Sequence, residues 1–161
     1  MRLRFSTPLI AAAMLLLAAA ASAQTGFSAF LAGSQEVPPV ATPASGYCAM
    51  VLNAGGTSLS YNLDYSGLLA NRTASHFHGP AAPGVNASVV FGVASAGGTS
   101  GNISGAWAID ATNKARLLAG LLYLNVHTSV FPGGEIRGQV LLDASVPANG
   151  SSWGRIKRLY R

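Results

Sequence analysis

Gly120-Leu-Leu-Tyr-Leu-Asn-Val-His-Thr128 is the stretch from which the fold is read. From Leu122 onward its residues alternate: Leu122, Leu124 and Val126 fall on one side, and Tyr123, Asn125 and His127 on the other. That period of two belongs to a β-strand, with one face predicted to be core and the other more polar. Two further stretches share the parity. In Glu135–Leu142, Ile136, Gly138 and Val140 alternate with Glu135, Arg137 and Gln139, and in Ala74–His78, Phe77 stands opposite His76 and His78. If the three strands are neighbours, their polar faces bring the chain's three histidines together.

The rest of the body has the same texture. Gly and Pro punctuate it about every ten residues, and the short segments between them are rich in Val, Leu, Tyr and Phe, which predicts an all-β fold. The expected architecture is an antiparallel β-sandwich, Greek-key or immunoglobulin-like, of about seven or eight strands. Candidate strands are Phe27–Ala32, Tyr47–Asn53, Ser58–Tyr65, Ala74–His78, Ser88–Val93, Ile103–Ile109, Leu121–Thr128 and Glu135–Leu142. Gly55-Gly56 suits a tight hairpin between the second and third of these. Asn113 to Ala119 is predicted to form a helical turn ahead of Gly120.

The two ends read differently. Arg2 and Arg4, an apolar run from Leu9 to Ala21 and the small-x-small Ala21-Ser22-Ala23 predict a secretory signal peptide over residues 1–23. The remaining 24–142 form one domain, large enough for a hydrophobic core. Residues 143–161 read as a flexible linker and a short cationic tail, in which Trp153, Ile156 and Tyr160 share one side of any helix. Such a tail suits a membrane surface or sorting machinery. No later segment approaches the length of a transmembrane helix, so the expected location is secreted, periplasmic or extracellular.

The net charge of +5 is concentrated at these ends. Arg155, Lys157, Arg158 and Arg161 lie in the tail, whereas the body balances Arg72, Lys114, Arg116 and Arg137 against Glu36, Asp64, Asp110, Glu135 and Asp143. A nucleic-acid binder needs a basic stripe on its folded surface, and this body has none. Cys48 is the single cysteine, so no intramolecular disulfide forms, and its apolar neighbours predict a buried small hydrophobe.

The chemistry rests on the polar faces. Two histidines at i and i+2 of a strand project to one side, and a third from a neighbouring strand completes a transition-metal site. Neutral imidazoles suit copper or zinc, and a carboxylate can add an oxygen ligand. The candidate ligands are His76, His78, His127 and Glu135, with Glu36 and Arg137 behind them. The same residues also support a purely structural reading, an internal hydrogen-bond network that holds one end of the fold together. No G-x-S-x-G elbow, P-loop or H-E-x-x-H is present, and the expectation is a binding protein, not an enzyme.

Five motifs occur in order: Leu31-Ala-Gly-Ser-Gln-Glu-Val-Pro-Pro-Val40, Ser75-His-Phe-His-Gly-Pro80, Gly105-Ala-Trp107, Gly120–Thr128, and Pro132-Gly-Gly-Glu-Ile-Arg-Gly-Gln-Val140. Together they resemble the chordin (CHRD) domain over about Phe27 to Leu142. The resemblance implies an extracellular β-rich module whose partner is an extracellular ligand or an envelope component. It does not imply growth-factor binding, because the cysteine-rich modules that accompany the domain in chordin are absent. It does pick out Glu36, His76, His78, His127, Glu135 and Arg137 as part of the pattern.

Overall fold

A computed structural model describes residues 24–143. The expected signal peptide and all but the first residue of the expected linker and tail lie outside the described residues. The described residues form nine strands: β1 (Thr25–Ala32), β2 (Ser45–Leu52), β3 (Leu59–Ser66), β4 (Arg72–His78), β5 (Val89–Ala94), β6 (Gly101–Trp107), β7 (Tyr123–Thr128), β8 (Ile136–Gln139) and β9 (Leu141–Leu142). Helix α1 (Ala111–Leu118) links β6 to β7, and a short 3-10 turn over Gly33–Gln35 follows β1.

Every strand pairing is antiparallel, and the strands follow one hydrogen-bonded path, β5-β4-β7-β8-β1-β2-β3-β6, with β9 alongside β1. The all-β antiparallel expectation therefore holds. The division into two stacked sheets does not appear in the pairing. Instead the sheet curls until its two ends meet, with Phe91 of β5 stacked on Trp107 of β6 at 4.9 Å between ring centroids. The result is nearly closed and barrel-like, and its closing seam is aromatic, with Phe77 stacked on Trp107 from β4 at 5.6 Å.

The inner face is predominantly apolar, with Ser75 a fully buried exception opposite Val126. Phe27, Cys48, Leu59, Leu63, Phe77, Leu122, Leu124, Val126 and Ile136 are fully buried in it. Cys48 is thus the buried hydrophobe that its neighbours predicted, and burial drives its thiol up to about 12. The expected strand Glu135–Leu142 is broken at Val140, whose amide donates to Leu122 O at 2.9 Å. Beyond that point the chain leaves β7 and pairs with β1 as β9.

Local chemistry accounts for the ends of the elements. Asp110 caps α1 by accepting from Asn113 N at 2.8 Å. The hairpin between β2 and β3 is closed by Asn53, whose side-chain oxygen accepts from Thr57 N and Ser58 N, while Gly56 supplies the left-handed residue at φ +65°.

The outer face of β4, β7 and β8 is not open to solvent. All six residues of β7 and all four of β8 are buried. Strand parity alone predicted only that this face is the more polar one. The loops between β1 and β2, between β4 and β5 and between β7 and β8 cover it, held by Asn86 Nδ2 donating to Val37 O at 2.9 Å and Ala81 N donating to Leu121 O at 2.9 Å. The molecule thus has a second, polar interior on the far side of the sheet.

Candidate metal centre

The pairing of β4, β7 and β8 sets the rows of this polar interior. His76 lies opposite Asn125 and Asn125 opposite Arg137, with His78, Tyr123 and Gln139 forming the next row and Ala74 beside His127. The predicted convergence is therefore realised by register. His76, His78 and His127 each offer a ring nitrogen, and these atoms all lie within 4.8 Å of one another.

Hydrogen bonds fix which nitrogens are free. His78 Nδ1 faces Ala87 O at 2.9 Å, and His127 Nδ1 faces Pro132 O at 2.9 Å. A carbonyl oxygen can only accept, so both rings carry their proton on Nδ1, and the lone pairs sit on Nε2. A metal-ligating histidine is commonly oriented in this way, by donating its other N–H to a backbone carbonyl. His127 Nε2 lies 3.0 Å from His76 Nδ1, and His78 Nε2 lies 3.0 Å from the Asn125 side-chain amide. A neutral imidazole has one proton, already donated to Ala87, so the Asn125 amide serves His78 Nε2 with its NH2 group turned toward the ring.

Burial favours the neutral forms. Desolvation lowers the pKa of all three histidines; for His78 and His127 the neighbouring rings lower it further, against the hydrogen bonds to Ala87 O and Pro132 O. Lone pairs are accordingly available at neutral pH. The ring centroids stand 5.7, 4.9 and 6.1 Å apart, so a point about 3.3 Å from all three exists, close to the distance of a metal bound in the ring plane at about 2.0–2.1 Å from nitrogen. The most distant nitrogens would have to approach by about an ångström to coordinate together.

Glu135 does not join this group. Its carboxylate is fully buried and accepts from Thr42 Oγ1 at 2.7 Å, Leu69 N at 2.8 Å and Thr128 Oγ1 at 2.8 Å. The expected oxygen ligand is instead a strut joining the β1–β2 loop, the β3–β4 loop and β7. Arg137, 1 % exposed, lies over Tyr123 at 3.5 Å from the ring centroid and donates to Asn86 Oδ1 and Val85 O. Tyr123 in turn stacks on His78 with an interplanar angle of 4°. Arg137 therefore acts on the cluster through this stack, fixing the plane of the His78 ring.

Glu36 lies beyond Asn125. Its buried Oε1 has no hydrogen-bond partner among the described residues. A side chain at Gly134, which has φ +130°, would strike Glu36 Oε1 and the far end of the Asn125 side-chain amide, so the glycine leaves room for both groups. Desolvation pushes the Glu36 carboxyl up to about 7 in spite of the Arg137 charge nearby. Tyr123 and Asn125, which orient His78, were legible from the parity of β7. Thr42, Leu69 and Asn86 come from loops whose sequence carries no periodic signal.

A family model of the CHRD domain matches residues 27–140. No curated protein and no solved structure matches the chain.

Proposed function

The chain belongs to the CHRD domain family, and from that premise we propose that it is a secreted, non-enzymatic binding module that takes up a transition-metal ion, copper or zinc, at His76, His78 and His127. The observation that supports this reading is the convergence of three neutral imidazoles, two of them held by backbone carbonyls with Nε2 turned inward. A nitrogen-only set suits copper and zinc better than magnesium or calcium, which prefer oxygen. The bound ion would replace two internal contacts, the one between His76 and His127 and the one from Asn125 to His78. The family supports an extracellular setting, and no helix of the described residues is long and apolar enough to cross a membrane.

A second reading has its own support. The same two contacts already occupy the inward lone pairs, so the cluster can serve as an internal hydrogen-bond network that seats the covering loops on the sheet. Calorimetric titration of the purified chain with Cu²⁺ and Zn²⁺ separates the two. Metal binding predicts a one-to-one isotherm that His76→Ala and His127→Ala each weaken at least about tenfold, with little proton release at pH 7.5 because the ligands are already neutral. Absence of heat, or heat indifferent to both substitutions, would leave the structural reading in place.

A further inference from the structure

Further along the sheet from the histidine cluster, its outer side carries a second surface that stays exposed. The outer faces of β1, β2, β3 and β6 are aligned by register so that Phe30, Tyr47, Asp64 and Asn102 form one continuous cross-strand row. Phe30 is 70 % exposed and Tyr47 41 %, and their rings lie 4.8 Å apart. An exposed aromatic pair on a folded sheet is costly to keep in water unless something covers it. The other half of the row is polar and already organised. Asn102 Nδ2 donates to Asp64 Oδ1 at 2.7 Å and to Asn62 Oδ1, and Ser104 Oγ donates to Asn102 Oδ1 at 3.1 Å.

We infer that this row is a binding platform for an uncharged polysaccharide chain. Three features select that ligand. Aromatic rings beside a hydrogen-bonding carboxylate and amides match the two sides of a pyranose, whose axial C–H groups present an apolar face and whose equatorial hydroxyls both donate and accept. The charge opposes an anionic ligand: β1, β2, β3, β6 and β9 contain no Lys, Arg or His, their one charged side chain is Asp64, and Asp143 follows directly after β9. The dimensions also fit. Four strands about 4.8 Å apart spread the row over roughly 15 Å, the length of about three linked sugar rings.

The row beside this one carries only small or polar side chains, Ser28, Ala49, Asn62 and Ser104, so a chain can lie across it. At the Phe30 end it runs into a groove of about 290 Å³ bordered by Ser28, Gln35, Leu141 and Asp143, where Ser28 Oγ donates to Asp143 Oδ1 at 2.7 Å. The groove lets the polymer continue past the aromatic pair. Recognition is then a matter of stacking at Phe30 and Tyr47, with hydroxyls read by Asp64 and Asn102.

Calorimetric titration of the metal-free chain with cellohexaose, laminarihexaose, mannohexaose and chitohexaose tests the platform, with hexagalacturonate as the anionic comparison. At least one neutral hexasaccharide is expected to bind with Kd below about 1 mM, and Tyr47→Ala, Phe30→Ala and Asp64→Ala are each expected to raise Kd about tenfold. These side chains are exposed, so the variants should keep the melting temperature of the wild type. His76→Ala should leave the affinity within about twofold, which separates this surface from the metal site. The inference is overturned if none of the four binds, if the Phe30→Ala/Tyr47→Ala double variant keeps its affinity, or if only hexagalacturonate binds. A Tyr47-dependent dimer would likewise overturn it, by assigning the face to a second copy.

Discussion

Glu36 shows most clearly how one buried side chain can set the pH response of the molecule. Its folded pKa of about 7 stands above the ordinary 4.5, so the folded protein holds a proton that the unfolded chain releases. Its contribution is full below pH 4.5 and is lost as pH rises through about 7. The histidines act in the opposite sense. Their folded pKa values lie below 6.5, so their contribution is present above 6.5 and is lost as pH falls. Between about pH 4.5 and 6.5 the two effects oppose each other, Glu36 losing stability as pH rises while the histidines gain it. Glu36→Gln, with no proton to lose, should remove the loss of stability between pH 4.5 and about 7, on the order of 1–2 kcal/mol, while leaving the histidine dependence in place. Thermal melts from pH 4 to 9 read this directly, and an unchanged profile between pH 4.5 and 7 would show that Glu36 is not the group responsible. Position 36 was legible in the sequence as one of few acids in the body. Its chemistry was not, because desolvation depends on the loops folded over it.

At the scale of elements, the strands repeat what their residue alternation predicted, and the departures have local causes. The turn expected at Asn113–Ala119 is a full helix beginning at Ala111, because Asp110 supplies the cap that starts it two residues earlier. Asp110→Ala removes the acceptor for Asn113 N and should lower the midpoint of urea denaturation. An unchanged midpoint would mean that α1 is held by the packing of Leu117 and not by its cap. The break at Val140 was illegible for a different reason. The strand is broken there because the chain loses its pairing with β7 and continues beside β1 alone, and neither the hydropathy nor the turn residues of Glu135–Leu142 signal such a change.

For the whole molecule, closure is the decisive property. Phe77, Phe91, Tyr61 and Trp107 form the seam where the first and last strands of the path meet, with Trp107 at its centre. Trp107→Ala should cost about 3–5 kcal/mol, as large core truncations do, and should weaken the near-ultraviolet dichroism of the seam. A cost near 1 kcal/mol would show that the two end strands gain little from meeting. The sequence by itself determined the strand periodicity, the apolar inner face, the family and the common face of His76, His78 and His127. These follow from short-range rules, since the two-residue repeat of a strand decides which side chains share a side. Only the tertiary structure decided that the sheet closes on itself, that the polar face of β7 and β8 is an interior, and that Glu135 is a strut apart from the histidines. It also aligned Phe30, Tyr47, Asp64 and Asn102 in one row. Each of those depends on which strands become neighbours and which loops cover them, and long-range pairing leaves no periodic trace in the chain.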